Sequence, residues 1–166
     1  KDRSYEITAK IDLPTGHDNG VIVTQGGRFA GWGLVLIDGK PNWIYRRSQN
    51  PDAAIRIAAP EAISGGAHVL SVKFDYDGRN GEVGAGGAYA LSVDGRMVAS
   101  AHIDRTVPYI YSVDETLDIG EDHGTPIIED YADKMPFRFE GKIDAVLIDL
   151  APLKIGGGAR QNAQDL

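Results

Sequence analysis

The stretch Tyr5-Glu6-Ile7-Thr8-Ala9-Lys10-Ile11-Asp12-Leu13 alternates apolar and polar residues without a break. Period 2 turns Tyr5, Ile7, Ala9, Ile11 and Leu13 to one face and Glu6, Thr8, Lys10 and Asp12 to the other, as in a half-buried antiparallel strand. Leu70, Val72, Phe74 and Tyr76 repeat the signal against Ser71, Lys73 and Asp75. Further strands are predicted at Val21–Gln25, Trp32–Ile37, Asn42–Arg46, Ala54–Ala58, Tyr89–Val93, Met97–Ile103 and Lys142–Leu150. Asp38-Gly39-Lys40-Pro41 joins one hairpin. Asp94-Gly95 joins another as a two-residue loop suited to a type I′ turn. Gly84–Gly87 precedes a strand and reads as a turn. Pro51 to Ile57 has room for one short helical turn, and no longer segment shows a 3.6 period. Many short strands with a turn signal about every ten residues predict an all-β antiparallel two-sheet sandwich of the jelly-roll, concanavalin-like kind.

Composition agrees. The 166 residues suit one domain, and 21 glycines without Gly-x-y periodicity fit many tight turns. A net charge of −7 argues against nucleic acid or anionic membrane as a partner, and no apolar run approaches the ~20 residues of a membrane span. The absence of cysteine removes disulfides, thiolate metal sites and a Cys nucleophile, and is compatible with a cytoplasmic or a periplasmic location. The start at Lys1, without an apolar h-region, predicts a piece of a longer protein. Residues 1–154 form the expected sandwich module. The run IGGGARQNAQDL over 155–166 has little to bury and is expected to be a flexible tail.

The segment Asp104–Arg138 breaks the pattern. It holds Asp114, Glu115, Asp118, Glu121, Asp122, Glu129, Asp130 and Asp133, with no Lys or Arg between the first and last. Eight carboxylates repel unless a cation, a basic surface or water relieves them. The readings, in order, are a solvated loop, a docking surface and a Ca²⁺ site. The ion would use Asp114, Glu115, Asp118 and Asp122, although their spacing does not match the Asp-x-Asx-x-Asx-Gly loop. A retaining glycosidase needs two carboxyl groups about 5–5.5 Å apart. Glu115, Asp118 and Glu121 stand three apart, which sends neighbours to opposite faces of a strand. His102 and Asp104 share a strand face, but neither sits beside an evident nucleophile, so no catalytic residue is assigned. Pro108, Tyr109 and Tyr111, with Arg105 before them and Asp114 and Glu115 after, form the expected interdomain docking set: an apolar patch rimmed by carboxylates. Trp32, in register with Leu34 and Leu36, belongs to the core rather than to a sugar platform.

With those residues in view, the chain resembles the C-terminal β-sandwich module of a group of large bacterial arylsulfatases. The matching signatures are Gln25-Gly26-Gly27 with Gly31-Trp32, Phe74-Asp75-Tyr76-Asp77-Gly78 with Gly84–Gly87, and Leu91-Ser92-Val93-Asp94-Gly95. They continue through Arg105-Thr106-Val107-Pro108, the acidic element Ser112–Pro126, and Phe137-Arg138-Phe139-Glu140-Gly141-Lys142-Ile143-Asp144. His123 stands where the resemblance leads one to expect Thr. The resemblance implies a parent sulfuric ester hydrolase that uses formylglycine and a divalent cation. The Cys/Ser-x-Pro-x-Arg source of formylglycine is absent from this chain, so no catalytic residue carries over. The leading expectation is a noncatalytic accessory domain that docks on the catalytic sulfatase domain of the same polypeptide and shapes its substrate entrance. The alternative is a free-standing carbohydrate-binding module on a concanavalin-like fold.

Overall fold

The computed structural model describes residues 2–79, 82–111 and 115–153. Twelve strands follow one another in these residues: β1 (Tyr5–Leu13), β2 (Gly20–Gly26), β3 (Gly31–Ile37), β4 (Lys40–Arg46), β5 (Ala54–Ala58), β6 (Gly66–Tyr76), β7 (Ala85–Val93), β8 (Arg96–Arg105), β9 (Leu117–Ile119), β10 (Glu121–Asp122), β11 (Phe137–Arg138) and β12 (Lys142–Leu150). Two short 3₁₀ turns, Pro51–Ala53 and Glu129–Lys134, are the helical elements. The first sheet runs β12-β1-β6-β7-β8 and the second β5-β4-β3-β2-β9, antiparallel throughout, with β10-β11 as a small separate ribbon. This is the two-sheet sandwich that the alternation predicts. The expected tail, 155–166, lies outside the described residues.

The alternation becomes the core. Ile7, Ala9, Ile11 and Leu13 of β1 join Leu70, Val72 and Phe74 of β6 against Trp32, Leu34 and Leu36 of β3 and Trp43 and Tyr45 of β4. Trp32 stacks on Trp43 at 5.3 Å, and Phe74 on Tyr89 at 4.4 Å. Across the sandwich Tyr89 of β7 meets Trp43 and Tyr45 of β4 at 5.5 and 5.7 Å, so large rings bridge the roughly 10 Å between the sheets.

β3 and β4 are buried on both faces. Val21, Val35 and Ile44 point away from the main core and meet Ile127, Tyr131 and Phe137, which form a second cluster on the outer face of the second sheet. The Asp104–Arg138 region therefore differs from expectation in its second half. Three well-spaced apolar residues suffice to cover a sheet face, although they leave no periodic signal.

Both tight hairpins have left-handed central residues. Asp94 and Gly95 have φ of 50° and 79°, and Asp38 and Gly39 have φ of 51° and 71°. The link after β3 is therefore two residues rather than the expected four, because Lys40 already pairs with Ile37. Gly84 is the turn, whereas Gly86 and Gly87 lie inside β7. The Phe74 ring covers Gly87 so closely that a β-carbon would overlap it.

Candidate binding surface at one end of the sandwich

The strands β2, β4, β6 and β8 finish at one end of the sandwich. The Val107 amide donates to the Tyr45 hydroxyl at 2.7 Å, which sets the exit of β8 beside the exit of β4. The loop from β8 is pinned at its base. Thr106 Oγ1 donates to the Ala85 carbonyl at 2.8 Å and the Thr106 amide to the Gly84 carbonyl at 3.2 Å. Tyr111 turns inward and meets Tyr45 edge-on at 6.1 Å. Burial pushes both the Tyr45 and the Tyr111 hydroxyls above the ordinary tyrosine range. Between these anchors Tyr109 is 79% and Ile110 65% exposed. In the β2–β3 loop, at the same end, Phe29 is 49% exposed.

The β2–β3 loop is itself braced. The Arg28 amide donates to Thr125 Oγ1 at 2.8 Å, and its guanidinium clasps Glu129 with two bonds of 2.9 and 2.8 Å. That pair holds the Glu129 carboxyl below the usual carboxylate range, through the hydrogen bond first. Behind it, Arg46 is buried and donates to the carbonyls of Ser48, Gln49 and Ile127 at 3.1, 3.0 and 3.1 Å. Exposed apolar rings therefore stand on a framework whose backbone is already tied down, which lowers the entropy lost on binding.

The expected docking residues Arg105, Pro108, Tyr109, Tyr111 and Glu115 all come to this end, but not in one role. Tyr109 faces solvent and Tyr111 faces the core. Arg105 and Pro108 are exposed. Glu115 accepts from the Thr125 amide and hydroxyl at 2.9 and 2.7 Å, so it closes the loop on itself. Asp114 lies outside the described residues.

The acidic stretch finds partners within the chain, some near in sequence and some far. Glu121 pairs with Arg138 at 3.0 Å and Asp130 with Arg56 at 2.6 Å. Asp118 accepts from Thr116 Oγ1 and the His123 amide at 3.0 and 3.1 Å, and Asp122 from the Tyr131 hydroxyl at 2.7 Å. Thus Glu115, Asp118 and Asp122, three of the four residues expected to hold Ca²⁺, each accept hydrogen bonds from the chain. Among the described residues no three metal-ligating side chains gather closely enough to hold an ion. His102 does not stand with Asp104 alone. Its Nε2 meets Asp77 at 2.7 Å, and its Nδ1 lies 3.9 Å from Asp104.

No known family model and no characterised relative matches the sequence. Solved structures match the fold. Domains LG4-5 of the mouse laminin α1 chain align at a TM-score of 0.55 and 18% identity, over 92% of this chain and 37% of that one. The CBM40 of the Ruminococcus gnavus IT-sialidase aligns at 0.57 and 13% identity, over 91% of this chain and 79% of that one. The botulinum neurotoxin type G receptor binding domain aligns at 0.54 and 13% identity, over 89% of this chain and 34% of that one. The chain thus spans about a third of the laminin and neurotoxin chains and most of the CBM40. At these identities the likeness establishes the fold alone: a two-sheet antiparallel β-sandwich.

Proposed function

We propose that the chain is a carbohydrate-binding module whose contact surface is the Phe29–Tyr109 end of the sandwich. The observation that carries the reading is the exposed Tyr109 on a loop anchored at Thr106, Val107 and Tyr111. A ring held in place offers an apolar face to the C–H side of a sugar. The likeness to a sialidase CBM40 over most of both chains supports the same reading. A glycan array followed by calorimetry on the best hit tests it. Tyr109→Ala and Phe29→Ala are expected to weaken binding about tenfold, the effect of about 1.4 kcal/mol, with the melting temperature unchanged. An array without signal rejects the reading.

The rival use of the same end is docking on an arylsulfatase catalytic domain. Its support is the run of sequence signatures given above and the apolar Tyr109-Ile110 tip, which would bury well against a protein surface. Tyr109→Ala in a full-length parent separates the two. Docking lowers sulfatase activity, whereas sugar binding leaves turnover of a small aryl sulfate unchanged.

A further inference from the structure

At the opposite end of the sandwich, His68 opens β6 on its inward face, opposite Ile11 of β1. Its Nδ1 lies 2.8 Å from Asp94 Oδ2 in the β7–β8 turn, and its Nε2 lies 2.9 Å from the Ser64 carbonyl oxygen in the loop before β6. Carboxylate and carbonyl oxygens only accept, so each contact requires an N–H on the ring. A neutral imidazole has one and an imidazolium has two. The Ser64 hydroxyl is 3.5 Å from the same Nε2. A nitrogen whose proton points at a carbonyl is no base for that hydroxyl, so the trio is not a nucleophilic triad.

The acceptor side is built firmly. Asp94 Oδ1 takes the Val69 amide at 2.8 Å, and the residue sits in the left-handed region of a type I′ turn. The Val69 amide first, and His68 second, hold the Asp94 carboxyl below the usual carboxylate range. The His68 side chain is only 12% exposed. Beside it lies a pocket of about 520 Å³, walled by Ala59–Ile63 on one side and Val93, Asp94, Arg96 and Val98 on the other. Those walls belong to the two segments that His68 joins. Asp94 is the charge in contact with the ring, Glu61 and Arg96 are the other charged groups that line the pocket, and β1 sets Ile11 opposite the histidine.

We propose that His68 is a protonation-operated clasp: its imidazolium ties the Ala59–Gly65 loop to the β7–β8 turn, and its neutral form releases one of the two bonds. The tether is tightest where the ring carries both protons and loosens where it carries one.

Hydrogen exchange of the 166-residue chain at pH 5.5 and 8.0, corrected for intrinsic rates, reads the loop directly. Protection of the amides from Ala59 to Gly66 is expected to fall about tenfold between the two in the native chain. It is expected to change little in His68→Gln, which carries no titrating ring. Asp94→Asn should also abolish the step while keeping the turn, because Asn tolerates positive φ and still accepts from Val69. The same step in either variant, or no step in the native chain, overturns the clasp. Covalent labelling of Ser64 by a fluorophosphonate would also overturn it, since the ring would then be acting as a base.

Discussion

Tyr131 donates its hydroxyl proton to Asp122 Oδ2 at 2.7 Å, and both side chains are buried beneath the outer face of the second sheet. The same hydroxyl accepts from the Ile127 amide at 2.9 Å, while the ring stacks on Phe137 at 4.6 Å. One side chain thus ties the acidic stretch to the apolar cover of the sheet. Tyr131→Phe keeps the ring and leaves a buried carboxylate and a buried amide without their partner. It should cost about 1–3 kcal/mol in urea denaturation.

Desolvation raises the Asp122 carboxyl above its ordinary range, against the lowering effect of the Tyr131 bond. An acid raised in the folded state binds its proton more tightly there than in the unfolded chain. Its burial penalty is therefore absent below the unfolded pKa and complete above the folded one, so its contribution falls as pH rises through the carboxylate range. Asp122→Asn, which can still accept from Tyr131, should remove that fall. The check is the difference between native and variant stability from pH 3.5 to 7. A constant difference would contradict the assignment.

Arg46 and Glu129 should respond very differently to substitution. The Arg46 side chain is 3% exposed and serves three main-chain carbonyls, so Arg46→Met strands them and should cost about 3 kcal/mol. Glu129 is half exposed and lies 3.8 Å from Arg46. Glu129→Gln should cost less than about 1 kcal/mol, as surface pairs do. Chemical denaturation of the two variants side by side gives the comparison.

Two glycines separate steric from conformational need. At Gly87 a β-carbon runs into the Phe74 ring, so Gly87→Ala overpacks the core and should cost about 1–3 kcal/mol. At Gly95 there is open space but φ is +79°. Gly95→Ala should cost only the left-handed penalty, about 1–2 kcal/mol. Relieving the Phe74 site by Phe74→Leu in the Gly87→Ala background should recover part of the first loss, and the same change should recover none of the second.

The strands that show strict alternation were legible in the sequence. β1, β5 and β12 end where the periodicity ends, because a face in water and a face in the core leave a mark at every residue. β9, β10 and β11 are two or three residues long, too short for any period. The cover made by Ile127, Tyr131 and Phe137 joins residues more than eighty positions from the strands they touch, so no local pattern announces it. The ion partners of the acidic stretch were hidden for the same reason. Arg28, Arg46 and Arg56 sit 74 to 101 positions before the acids they meet, and local composition alone made those acids look uncompensated. The exposed Tyr109 was legible as an apolar residue outside any strand, but its separation from Tyr111 was not. Tyr111 meets Tyr45 edge-on, whereas Tyr109 is 79% exposed.

Tyr109 and Tyr111, two residues apart, should therefore part company under the same substitution. Tyr111 lies against the main core and meets Tyr45 edge-on at 6.1 Å. Removing its ring with Tyr111→Ser opens a void beside a buried aromatic cluster and should cost about 3 kcal/mol. Tyr109 is 79% exposed, so Tyr109→Ser should stay within about 0.5 kcal/mol of the native stability. Any function of this loop end should then fail in Tyr109→Ser with the fold intact. Melting curves of both variants, run with binding to the best array glycan, give the full pattern. Loss of stability in Tyr109→Ser would place that ring in the core and move the contact surface to Phe29.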